Sequence, residues 1–263
     1  MEALSTSLQG SQTGSLYTCS MARSVFYGLG QLAGVKLRKA RWMWESIAGS
    51  EAESLQAEHA VGRDMAAVVL EETARDSDPA NQALLDEIAA KLAAVVRNRL
   101  HRFQMAALDT DRPTAFALPG GFIFIARSLM QLCGRNEDDI AFVLAHEMAH
   151  VIRRHAIERL LQQKVVSAVA LVSPAKGAVA SWIRKVGFQG LERAYSQDEE
   201  FEADELAVLL MRAAGFDPAG AIRMLQCLAA LDRGPDRLGV NRYLSTHPPI
   251  EERVIRLRRL AAG

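Results

Sequence analysis

The stretch that most constrains this chain is Val143-Leu-Ala-His-Glu-Met-Ala-His-Val151. Two histidines stand four apart, His146 and His150, with Glu147 beside the first, which is the H-E-x-x-H arrangement of a zinc site. The spacing demands a helix. Residues four apart lie on one helical face, one turn apart, so both imidazoles can meet a single metal. Glu147 sits about 100° round the helix from His146, close enough to hold a water beside that metal. Ile140 to Ala145 are all apolar, which predicts a buried helix. Glu137, Asp138 and Asp139 crowd its first turn, where the helix dipole favours negative charge. Such a site needs a third protein ligand, and that ligand must come from elsewhere in the chain.

Composition narrows the source of that ligand. The three cysteines, Cys19, Cys133 and Cys227, are far apart and form no C-x-x-C pair. Neither a disulfide framework nor a cysteine zinc site is indicated, which leaves histidine and carboxylate. Lys+Arg and Asp+Glu balance at 31 each, so no strong field exists and nucleic acid is not indicated as a partner. At 263 residues, 49% apolar, the chain can bury a real core.

The chain divides into three parts by character. Residues 1–20 are polar and rich in Ser and Thr, without the basic start and apolar run of a secretory signal. They read as a disordered tail, so the protein is expected either to be intracellular, with or without a membrane contact, or to have its true start elsewhere. Residues 21–54 form a basic, aromatic helical extension, and residues 55–263 the main domain. Two segments are candidate peripheral membrane contacts. One is 21–44, where Trp42 and Trp44 adjoin Lys36, Arg38, Lys39 and Arg41, although a helix packing on its own domain is the favoured reading of this segment. The other is 165–186, an apolar stretch broken by Ser173-Pro174 and Lys176-Gly177. It ranks first as a mobile lid or partner surface, then as a buried hairpin, and last as a membrane span.

Periodicity predicts an α+β, mostly helical fold. Helices are expected over 45–75, from Asp78-Pro79 to about Leu100, over Arg127–Cys133, over Tyr195–Arg212 with Gly215 as stop, over Ala219–Leu231 and over Ile250–Ala262. The helix bearing His146 is expected to run on to about Gln163. Phe103–Leu108 reads as a strand. Thr114–Leu118, Pro119-Gly120-Gly121 and Phe122–Ile125 read as strand, tight turn, strand, so that a small antiparallel sheet packs on the His146 helix.

Downstream, the best candidate for the third ligand is Glu200, in Glu200-Phe-Glu-Ala-Asp204. Asp204 stands four residues on, on the same helical face, where it can accept a hydrogen bond from the outer nitrogen of a metal histidine. Glu199 and Glu202 are rivals, but neither has a carboxylate four residues later. The longer H-E-x-x-H-x-x-G-x-x-H pattern is excluded by Arg153 and Ala156. His155, five residues past His150, is expected off the metal face, in a surface or supporting role. Glu147 is the candidate general base. His247, in the stiff Thr246-His-Pro-Pro249 turn, is the candidate donor to an oxyanion, or alternatively a resting fourth ligand.

Taken together, several linked motifs carry a resemblance. They are Leu118-Pro-Gly-Gly-Phe-Ile-Phe124, Val143–Val151, Arg154-His155, Ser196 with Glu200-x-x-x-Asp204, and Ser245-Thr-His-Pro-Pro249. In order and spacing, over roughly residues 55–260, they resemble the HtpX- and BepA-like zinc metalloendopeptidases of peptidase family M48. The chain looks most like the BepA-type branch and its mitochondrial quality-control relatives. The resemblance implies a gluzincin fold, one Zn²⁺ on His146, His150 and Glu200, and Glu147 as base. It also implies that the strand Thr114, Ala115, Phe116, Ala117 and Leu118 is the sheet edge on which an extended polypeptide substrate lies. Two departures stand out: Thr114 where the family usually has Asn, and Gln197 where Arg often follows the serine. Zinc endopeptidase is therefore the expected activity, and a chaperone-like binder of unfolded proteins the alternative. The intact Glu147 favours the enzyme, because a pure binder needs no base.

Overall fold

A computed structural model describes residues 50–132, 134–162, 195–232 and 250–261. The chain divides into two compact units between Gly49 and Ser50, and all of the described residues belong to the second, Ser50–Gly263. The segments 21–44 and 165–186 and the turn carrying His247 lie outside the described residues. No helix among the described residues is long and apolar enough to cross a membrane.

Local signals set most of the helix ends. Helix α1, Glu51–Glu72, opens with Ser50 and Glu53 in a reciprocal capping box. Helix α2, Pro79–Val95, has Asp78 as its cap and proline at its first position. Its stripe of Leu85, Ile88 and Leu92 is fully buried, each side chain contributing about 1.5–3 kcal/mol relative to exposure. The expected run to Leu100 stops at Val95, and residues 96–103 form no regular element.

Strands β1 (Gln104–Leu108), β2 (Ala115–Leu118) and β3 (Phe122–Ala126) form one sheet in the order β1-β3-β2. The β2–β3 hairpin is antiparallel as expected, with Phe116 opposite Phe124. The whole sheet is not: β3 inserts between β1 and β2, so it runs parallel to β1. β2 runs opposite to β1, so β3, reversing from β2 into the gap between them, runs the same way as β1. The Pro119–Gly121 turn is a short 3₁₀ segment in which Gly120 and Gly121 take φ of 72° and 91°, values that glycine adopts without strain. At Gly62 of α1 a Cβ would stand 1.7 Å from the carbonyl oxygen of Pro119, so glycine is what lets this helix lie against the turn. Along the outer side of β1, Gln82 donates to Met105 O and accepts from Ala107 N, and residues 74–76 pair with Ala107, Leu108 and Asp109. β2 holds the other edge.

After the short helix α3, Arg127–Leu132, comes α4, Glu137–Ile152. Asn136 caps α4 by accepting from the backbone N–H of Asp138 and Asp139. Every residue from Asp139 to Val151 is buried, as befits a helix apolar on most of its faces. α2, the sheet, α6 (Gln197–Ala214) and α7 (Ala219–Asp232) all pack against it. The acids of its first turn meet the helix dipole and also a side chain: Arg223 of α7 donates from Nε to Asp139 at 2.8 Å. α4 does not run on to Gln163. It ends at Ile152, Arg154 takes a left-handed φ of 65°, and a separate helix α5 spans His155–Gln162. α6 starts at a Ser196–Glu199 capping box and ends on left-handed Gly215. The last described helix, α8, covers Ile250–Ala261.

Candidate metal centre

α4 presents His146 and His150 one turn apart, and α6 crosses to bring Glu200 against them. His146 Nε2 and His150 Nε2 are 3.1 Å apart, and the Glu200 carboxylate lies 3.5 Å from the first and 3.6 Å from the second. All three residues are buried. Among the described residues they form the group of side chains that could hold a metal ion. Glu147, next on the helix, is buried as well.

Each imidazole has a second contact on its far side. His146 Nδ1 lies 3.0 Å from Asp204 Oδ1. One turn along α6 from Glu200, Asp204 shares its face, as the four-residue spacing predicts. Asp204 is gripped in turn by Arg253 of α8, which donates from Nε at 2.8 Å and from Nη2 at 2.7 Å. The same guanidinium stands 3.5 Å from Glu200. On the other side, His150 Nδ1 lies 2.9 Å from His155 Nδ1. The break at Arg154 places His155 here, not the continuous helix expected from the sequence.

The electrostatics follow from burial and charge. Burial alone disfavours a protonated His146, but its bonds to Asp204 and Glu200 outweigh this and push it up to about 9. Burial works against ionisation of Asp204 too, yet Arg253 and His146 together hold it below the usual carboxylate range. Burial pushes His155 down, against the pull of Glu199, Glu202 and Glu200. The two Nε2 nitrogens and the Glu200 carboxylate converge on one buried point beside the fixed cation of Arg253, and with His146 deprotonated they offer three electron-pair donors. That donor set fits a divalent metal ion.

Two neighbours were not singled out by sequence. Arg253 is fully buried, yet α8 is an arginine-rich helix in which nothing local marks that one residue. Tyr195 lies ring to ring on His150, with centroids 3.8 Å apart and planes inclined by 16°. Its hydroxyl is buried without a hydrogen-bond partner among the described residues. Burial, reinforced by Glu147 and Glu200, raises its pKa. The residues expected from sequence to receive substrate, Thr114–Leu118, all lie in or beside edge strand β2 and are buried.

The family profile described as Peptidase family M48 matches residues 79–261, well over half of the chain. The chain belongs to peptidase family M48. Among proteins similar to this M48 chain is the mitochondrial metalloendopeptidase OMA1 of Saccharomyces cerevisiae, 38% identical over 149 residues, which cover 55% of this chain and 42% of that protein. Metalloprotease YcaL of Escherichia coli is 28% identical over 182 residues, 66% of this chain and 69% of its own length. The beta-barrel assembly-enhancing protease of Escherichia coli is 26% identical over 190 residues, 68% of this chain and 38% of that protein. The match thus spans less than half of the length of the first and third of these relatives. Helix α1 precedes the matched residues, although it packs directly on the Pro119–Gly121 turn.

Proposed function

We propose that this M48 chain is a zinc-dependent endopeptidase that cuts extended or misfolded polypeptide segments in a protein quality-control role. The observation that carries the reading is the convergence of His146, His150 and Glu200 on one buried point with Glu147 beside it. Ligands around a tetrahedral zinc at 2.0–2.1 Å stand about 3.3 Å from one another. The three separations here, 3.1, 3.5 and 3.6 Å, match those edges. His146, His150 and Glu200 would hold a zinc ion, which would polarise the scissile carbonyl and lower the pKa of water towards neutrality.

The remaining work falls to the chain's own side chains. Glu147 holds the attacking water by accepting its proton, then delivers that proton to the nitrogen of the leaving amine. The water oxygen adds to the carbonyl carbon in the first step, and in the second the C–N bond breaks as the amine nitrogen takes the proton from Glu147, so atoms and charge balance over the two steps. Asp204 keeps the His146 imidazole in place. An extended substrate adds as a further strand along Thr114–Leu118, a reading supported by β2 holding the sheet edge opposite the one closed by Gln82 and residues 74–76. His247 remains the proposed donor to the oxyanion, from outside the described residues.

Incubating the zinc-loaded chain with casein tests the reading. The expected result is cleavage that falls by at least a hundredfold in Glu147→Gln. Undiminished cleavage by that variant would sink the mechanism. Tight retention of unfolded casein without cleavage by the unaltered chain would favour the binder instead.

A further inference from the structure

We infer that His155 is a positioning residue of the metal centre, which holds the outer nitrogen of His150 and thereby aims the inner one. The inference rests on the reading of His146, His150 and Glu200 as metal ligands. A ligand histidine needs a partner on its second nitrogen to fix its tautomer and its ring orientation. For His146 that partner is a carboxylate, Asp204, backed by Arg253. For His150 the described residues place a second imidazole there: His155 Nδ1 stands 2.9 Å from His150 Nδ1, with the two rings inclined by 67° and both residues buried.

Donor and acceptor roles along this line are fixed by counting hydrogens. Two ring nitrogens 2.9 Å apart share one hydrogen, so one donates and the other accepts. His150 Nε2 faces His146 and Glu200, and to serve a metal it must present a lone pair there. In a neutral ring the hydrogen then sits on Nδ1 and is donated to His155. His155 accepts at Nδ1, so its own hydrogen sits on Nε2, which faces Glu202 Oε2 at 3.6 Å. Glu202 is in turn held by Arg153 Nε at 3.1 Å. Every group on the path thus has a consistent role.

The backbone is built to deliver this contact. On an unbroken helix, His155 would stand about 140° round from His150. The left-handed Arg154 ends that helix and turns the chain so that the next residue comes back to the ring. For a residue other than glycine such a conformation is uncommon and needs support from its surroundings. Support comes from the Arg154 side chain, whose guanidinium reaches across to Ser54 and Glu58 of α1. A histidine that merely filled core space would need neither the turn nor the matched hydrogens.

The test is zinc affinity, measured on the full chain by competition with a chelating dye, together with the absorption spectrum of the cobalt-substituted protein. His155→Leu should lower zinc affinity 10- to 100-fold, the range for loss of an outer partner, and shift the cobalt bands. His155→Asn, whose Oδ1 stands close to the place of the lost Nδ1, should recover most of the affinity and the unaltered spectrum. His155→Gln, with its oxygen one bond further out, should recover less. The inference is overturned if the Leu variant keeps full affinity. If that variant does not fold, equal affinities of the Asn and Gln variants overturn it. A parent chain that takes up no zinc overturns the metal reading beneath, a result separate from either of these.

Discussion

Arg253 shows how far a single residue can matter at this site. Its guanidinium lies between two carboxylates in a space closed to water, and it is fully buried. Arg253→Met should leave Asp204 and Glu200 facing one another and cost about 3–5 kcal/mol, read as a lowered urea midpoint of the metal-free protein. An unchanged midpoint would mean that the carboxylates find other compensation. His101 carries a pH effect of known sign. Burial holds it below its ordinary value of 6.5, the pull of Glu51 notwithstanding. The unfolded chain therefore takes up a proton there before the folded one does, and stability is lost as pH falls below about 6.5. His101→Gln should flatten the fall in melting temperature between pH 6.5 and pH 5; an unaltered slope refutes it. Helix arithmetic made His146, His150, Glu200 and Asp204 legible, because each pair is four apart on one face. Arg253 and Tyr195 were not legible, since their neighbours lie 45 to 53 positions away (His150 for Tyr195, Asp204 and Glu200 for Arg253) and no local spacing records such a meeting.

Among the elements, α1 and the break between α4 and α5 belong together. Caps and apolar stripes announced most of the helices, and Pro119-Gly-Gly announced the hairpin. The break was hidden because Val151-Ile-Arg-Arg-His155 contains neither glycine nor proline. What holds Arg154 left-handed is a tertiary contact, the reach to Ser54 and Glu58 about a hundred residues earlier. The place of β1 was hidden for a similar reason: its residues read as a strand, but nothing in them says on which side of the hairpin it pairs. α1 also presses on the hairpin turn through Gly62, and His59 stacks on Phe122 while its Nδ1 meets Gly120 O at 3.1 Å. Gly62→Val should therefore push α1 off the turn, lower stability by about 1–3 kcal/mol and speed amide exchange at Gly120 and Gly121. Slow exchange retained in a stable Gly62→Val variant would show that the contact is dispensable.

For the whole molecule, an α+β, mostly helical architecture with a small sheet was readable from pattern alone, and membership of family M48 accords with it. The site is assembled from distant parts: α4 carries the histidines, α6 the carboxylates, α1 braces the turn that carries His155, and α8 supplies Arg253. That last contribution has a consequence for the order in which the protein comes into being. Synthesis runs from the N-terminus, so His146, His150, Glu200 and Asp204 have all emerged before the residue that balances their charge has been added. A nascent chain still lacking residues 250–261 holds two carboxylates near the histidines without the guanidinium between them, and its centre is not yet at rest. A chain ended after Pro249 should accordingly bind zinc at least tenfold more weakly than the full chain, as measured by dye competition. Equal affinity would mean that the centre matures without its last helix. A metal centre assembled in this order comes to full order only once residues 250–261 have been added.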